Sequence, residues 1–245
     1  MKERLAGVTV CALGIAVVAA VASPRVAQAG ADKLPSRTVQ CGETVSESLR
    51  VANNLRDCAG SGLVVGAAGL TIDLGGHRID GSSAAGSVGI DNAAGHAGVA
   101  IRNGIVAQFE DGVLLQDASG NTLSSLRVID NVSGVRLASS SGNTLNAIVA
   151  AGNGIGFRVE LASNDNAFTG NDASADGEGF YVEASSGNAF AGNVASGNGG
   201  VRLRALRRLR QHPEAQHGPR QRHRRHHSGL GVDGQRLEGE PGFRE

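Results

Sequence analysis

The sequence predicts an all-β chain, a single parallel β-helix of about six coils with a disordered C-terminal tail, and three observations predict it. The first is a recurring corner. Gly120-Asn121-Thr122-Leu123 returns as Gly142-Asn143-Thr144-Leu145, then more loosely as Asp165-Asn166-Ala167-Phe168 and Gly187-Asn188-Ala189-Phe190. These Asn residues lie 22, 23 and 22 positions apart. The second is a marker on the same beat: Gly112-Val113-Leu114-Leu115, Gly134-Val135-Arg136-Leu137, Gly156-Phe157-Arg158-Val159 and Gly179-Phe180-Tyr181-Val182. The third is alternation inside each copy, the strand period of two. It points Val113, Val135, Phe157 and Phe180 inward, with Leu115, Leu137, Val159 and Val182 as the next inward set. A repeat this short is too small for a helix pair, and the Leu/Asn consensus of leucine-rich repeats is missing.

Taken in order, residues 1–29 read as an export signal. Lys2 and Arg4 form a charged start, Leu5 to Ala22 an apolar run, and Ala27-Gln28-Ala29 a small-x-small cleavage site. Residues 30–60 form an N-terminal cap that holds Cys41 and Cys58. An even pair in an exported chain is expected to oxidise. The bridge would close a loop of about 16 residues and add roughly 3 kcal/mol by the loop-entropy argument. Residues 61–200 are the repeats, and 201–245 an irregular basic tail. Only six Phe and one Tyr are present, so the core must come from Val, Leu, Ile and Ala. The zero net charge hides a split. Residues 1–200 carry 12 Lys/Arg against 18 Asp/Glu, and the tail carries 11 Arg against 5 acids.

"GLTIDLGGHRIDGS" at 69–82, "IRNGIVAQFEDGVLL" at 101–115 and the "SGNTL" corners resemble the right-handed parallel β-helix repeat proteins. That group includes the NosD-type periplasmic repeat proteins and, more distantly, pectate lyases and related polysaccharide enzymes. The Cys41 to Cys58 segment resembles the N-terminal cap of its exported members. The resemblance covers about residues 38–200. It implies a right-handed coil and a secreted, periplasmic or cell-surface location. It does not choose a function, because the fold hosts many.

The stretch "RLRQHPEAQHGPRQRHRRHH" at 208–227 breaks the repeat. Reading the same bases one nucleotide later, with Arg from the CGN codon set, turns Arg210-Gln211-His212-Pro213 into a string that accommodates Gly-Asn-Thr-Leu. Gln216, Gln221 and Gln235 also precede codons beginning with C and shift to Asn or Ser. Gln211 follows Asn188 by 23 residues, and Gln235 follows Gln211 by 24. The expectation is a frameshift near codons 199–207 that leaves the last coil open and prone to self-association. The rival is a genuine polyanion-binding tail for nucleic acid, heparin or anionic lipid. It lacks a recognition fold and aromatic interleaving, so no nucleic-acid partner is expected, and no membrane contact after signal cleavage.

On the outward side of the stacked strand, Leu114, Arg136, Arg158 and Tyr181 fall in one column, and Gln116, Ala138, Glu160 and Glu183 in the next. Neighbouring coils lie about 4.8 Å apart. Arg136, Arg158, Tyr181, Glu160 and Glu183 therefore form a polar stripe suited to a polysaccharide. Glu160, Glu183 and Arg158 are the candidate catalytic groups, since two carboxyls about 5 Å apart can serve glycoside hydrolysis. The plainer reading is a solvated sheet face with screened charges. Asn121, Asn143, Asn166 and Asn188 form a structural corner column. Calcium would want clustered carboxylates, and Asp165, Asp172 and Asp176 are out of register for a cage. The resemblance raises copper, which needs soft or imidazole ligands. Met1 leaves with the signal, and His77 and His96 are the two His before residue 200. No cofactor and no metal site is expected, and Asp73 and His77 read as part of a strand, a Gly-Gly turn and a strand. Three functions remain: an exported scaffold or polysaccharide-binding protein, a polysaccharide lyase, hydrolase or epimerase, and polyanion binding through the tail.

Overall fold

The computed structural model describes residues 34–204 and 236–238. The export signal and the tail segments 205–235 and 239–245 lie outside the described residues. The described chain is all-β, a parallel solenoid of about seven turns. Every strand pairing in it is parallel, with each strand lying on its counterpart from the coil before. Strands Asp111–Gln116, Ser133–Ala138, Ile155–Glu160 and Glu178–Glu183 sit within one eight-stranded sheet. A thirteen-stranded sheet wraps the other sides. The sequence predicts about six coils. The cap segment adds to them because its strands Glu43–Val45 and Leu49–Val51 pair in register with Leu63–Val65 and Thr71–Asp73. The Cys41–Cys58 disulfide ties this first coil.

The beat that sets the coil also sets its corners. In the coil from 142 to 162 the chain turns at residues with positive φ: Gly142 at 66°, Ala147 at 52°, Gly152 at 72° and Ala162 at 61°. Glycine adopts this conformation freely, whereas an alanine pays about 1–2 kcal/mol there. Buried hydrogen bonds made by the residue after each corner hold it in place, as described below.

The interior is continuous. Val113, Val135 and Phe157 are fully buried and Phe180 is 1% exposed, while Leu115, Leu137, Val159 and Val182 form the second buried column. The few aromatic residues are concentrated in the last coils. Phe157 stacks on Phe180 with centroids 4.9 Å apart, and Phe168 on Phe190 at 4.7 Å. The two stacks meet edge-on, Phe157 to Phe168 at 5.9 Å and 88°. Offset stacks joined by edge contacts suit the ring quadrupole and add to the stabilisation from burial.

Candidate functional site

The outward face of the eight-stranded sheet places the predicted stripe. Leu114, Arg136, Arg158 and Tyr181 are register partners in successive coils, as are Gln116, Ala138 and Glu160. Glu183 follows Val182, the register partner of Val159. Arg136 donates through Nε to Glu160 Oε1 at 2.9 Å, and its Nη2 lies 2.7 Å from the same oxygen. Arg158 Nε donates to the other oxygen, Oε2, at 2.8 Å. Glu160 is thus clasped from two successive coils while only 7% exposed. Tyr181 Oη donates to Glu183 Oε2 at 2.5 Å.

Asp111 completes the cluster and was missed by the sequence reading. It is 5% exposed and accepts from Arg136 Nη1 at 3.1 Å. Strand parity groups Asp111 with Val113 and Leu115, so alternation alone hides its meeting with an outward Arg one coil on. Burial alone would lower the Arg136 pKa, but hydrogen bonds and charges from Glu160 and Asp111 outweigh it and hold the guanidinium above its ordinary value. Both Glu160 oxygens are engaged by guanidinium groups, which fixes the side chain in place between the two coils. A groove of about 560 Å³ lies elsewhere, lined by Ser83, Ala84, Phe109, Glu110, Asp130 and Val132 among others. None of the stripe residues lines it.

The corner column consists of buried amides. Asn143 shows the pattern. Its Oδ1 accepts the backbone N–H of Asn121 at 2.8 Å and the Asn121 amide at 3.1 Å. Its own amide donates to Asn166 Oδ1 at 2.9 Å and to the Ala118 carbonyl at 3.2 Å. Every hydrogen-bonding position of that side chain is used, the condition under which a buried polar network stabilises. Asn166 repeats the arrangement onto Asn188.

Two further amide columns escaped the sequence reading. One runs Asn131, Asn153, Asp176, Asn198 and the other Asn171, Asn193. Ser140, Ser163 and Ser185 form a hydroxyl version. The available signal was the second Gly-Asn pair in each copy, Gly152-Asn153, Gly170-Asn171, Gly192-Asn193 and Gly197-Asn198. The Gly112, Gly134, Gly156 and Gly179 marker belongs to the same device. A β-carbon at Gly134 or Gly179 would press on the amide of Asn153 or Asn198.

Asp73 is held by the Gly75 N–H, Arg102 and Asn103. Burial would raise its pKa, but these donors lower it below the ordinary carboxylate value. His77 Nδ1 lies 3.1 Å from Asn54 Oδ1, and the His96 backbone is hydrogen-bonded to the Asn92 side chain. Asp172 hydrogen-bonds to Ser174, and Asp176 sits inside an amide column. Among the described residues no group of three or more His, Cys, Asp or Glu is placed to hold a metal ion.

Comparison with family models matches residues 76–207, just over half of the chain, to the family described as periplasmic copper-binding protein (NosD). No curated protein and no solved structure matches the chain.

Proposed function

The chain belongs to the NosD family, and from that premise we propose that it is an exported, non-catalytic β-helix whose outward sheet face binds an extracellular polysaccharide. Family membership and the Cys41–Cys58 disulfide support a location outside the cytoplasm. The observation that carries the binding reading is the double clasp on Glu160. It fixes Arg136 and Arg158 in a half-buried row across two coils, with Tyr181 in the same column. A row of pre-ordered donors spaced by the coil repeat loses little entropy when it meets a polymer with regularly spaced hydroxyl or carboxyl groups.

The same clasp weighs against hydrolysis at Glu160, because both of its oxygens are already occupied by guanidinium donors and the residue is only 7% exposed. A glycan array with the parent chain and with Arg158→Ala and Tyr181→Ala tests the reading. The expected result is retention by the parent and loss in both variants, and a parent that retains no glycan would sink it. Release of reducing or unsaturated ends from a retained glycan, abolished by Glu183→Gln, would favour the enzymatic alternative.

The copper of the family's description does not fit the described residues. Both Cys of the coil segment are oxidised to each other, and His77 and His96 stand apart from any further His, Cys or carboxylate set. The polyanion reading of the tail concerns residues outside the described segments. Binding to heparin that falls steeply with salt and is lost on deleting 205–245 would support it.

A further inference from the structure

In the column Asn131–Asn153–Asp176–Asn198, one member is an acid. Asp176 is 5% exposed. Its Oδ1 does what an asparagine oxygen does, accepting the Asn153 backbone N–H at 2.7 Å and the Asn153 amide at 2.9 Å. Its Oδ2 is buried and has no hydrogen-bond partner among the described residues. That oxygen occupies the place of a donor. Asn153 uses its amide to reach the Val128 carbonyl at 3.0 Å, and Asn198 uses its amide to reach the Ala173 carbonyl at 2.7 Å. Val128, Ala150 and Ala173 are register partners, so the carbonyl facing position 176 is that of Ala150. The other neighbour is Asn198 Oδ1, fixed because it accepts the Asp176 backbone N–H at 2.8 Å. An ionised Oδ2 would face two acceptors with nothing to donate, whereas a protonated one restores the missing donor.

We propose that Asp176 is a proton-operated latch, which completes the corner column when protonated and, when ionised, leaves it without a donor toward the Ala150 carbonyl and Asn198 Oδ1 while the Asn153 bonds to Oδ1 remain. Burial is the main cause that pushes its carboxyl up to about 6, the Asn153 donors oppose it, and the Asp172 charge adds to the rise. Glu178, two residues on, carries the same sign as Asp172. Arg158 and Glu160, on strand Ile155–Glu160 of the preceding coil, are paired with each other on the outward face. No cation contributes to the Asp176 shift.

The group's pKa is raised on folding from 3.8 to about 6. Its contribution to stability is therefore full below 3.8, falls as pH rises toward 6, and is gone above that. Asp176→Asn supplies a permanent donor. The test compares thermal unfolding midpoints of the full chain and this variant from pH 3.5 to 7.5, together with the titration of the Asp176 side-chain carboxyl by carbon NMR in the parent. The expected result is coincident midpoints at the acid end, a higher midpoint for the variant above pH 6, and a carboxyl that titrates near 6. A gap between the two proteins that does not change with pH overturns the latch, and so does a carboxyl that titrates near the ordinary value.

A second inference rests on a separate observation, the spacing of all three amide columns. They end among the described residues at Asn188, Asn193 and Asn198. Gln211, Gln216 and Gln221 follow them by 23 residues each. The backbone register also slips at this coil. Glu178 pairs with Gly200, 22 residues on, but Tyr181 pairs with Arg202, only 21 on. We infer that the codons after about residue 200 carry, one base out of phase, the next rung of all three columns. Sequencing the gene tests it. The shifted frame is expected to be open from codon 200 to codon 245, with CAA at two or more of the three Gln codons so that it reads Asn. A stop in that frame, or CAG at two or more of them, overturns it.

Discussion

The coils before residue 120 and those after it follow one backbone path but fill their corners differently. Early corner positions are apolar: Val99, Phe109 and Ala118. One coil later the same positions hold Asn121, Asn131 and Ser140, and the columns then continue as amides or hydroxyls. The junction is simple. The backbone N–H groups of Val99 and Phe109 donate to the first Asn oxygen of their columns, at 2.8 and 3.0 Å. An amide column can therefore begin on any residue with an N–H, but each later member needs another acceptor above it. The early coils rely instead on a covalent tie and on individual clusters such as Asp73 with Gly75, Arg102 and Asn103. Local, one-off solutions hold the first half, and a repeated solution with mutual dependence between coils holds the second.

The largest expected effect tests the aromatic part of that contrast. Phe168 touches Phe157, Phe180 and Phe190. Phe168→Ala is expected to cost about 3–5 kcal/mol in urea unfolding, with faster hydrogen exchange confined to the coils after 140. Loss spread evenly over the chain would erase the division into two halves. Reduction of Cys41–Cys58 comes next, about 3 kcal/mol, with exchange rising in residues 34–81 and the amide columns left protected. Asn143→Ala should follow at about 1–3 kcal/mol, because it strands the Asn121 donors and the Ala118 carbonyl. Its signature is cooperative: exchange should increase at Asn121 and Asn166 together. A change limited to one neighbour would show that the column is a set of independent bonds. Glu160→Gln is the smallest, about 1 kcal/mol, since Arg136 and Arg158 are one quarter to one third exposed and water screens the loss.

Acid should separate the halves by sign. Asp73 has its pKa lowered, so its stabilisation is present above the ordinary value of 3.8 and lost as pH falls below it. Asp176 behaves in the opposite sense, its contribution fading as pH rises through about 6. Hydrogen exchange corrected for its intrinsic pH dependence should show the early coils loosening below pH 3.8 and the late coils tightening between 6 and 3.8. The same trend in both halves would remove the distinction.

Much of the fold was legible because strand alternation and the 22-residue beat are written in consecutive residues. Val113, Val135, Phe157 and Phe180 could be placed inward from their neighbours alone. The stripe of Arg136, Arg158 and Tyr181 followed from counting. Asp111 could not be read in the same way, because its partner is 25 residues away and its parity grouped it with the core. The second and third amide columns were hidden for a related reason. Asn153 and Asn171 look like ordinary turn residues until a neighbouring coil supplies their acceptors.

The sequence by itself determined the repeat length, the inward columns and the Cys pair, since each depends on backbone geometry or spacing that needs no knowledge of the neighbouring coil. Only the tertiary structure decided that Glu160 is clasped rather than free, that Gly134 and Gly179 make room for amides, and that Asp176 stands where a donor belongs. These are facts about what lies one rung above or below, and a hydrogen bond has meaning only once both of its ends are placed.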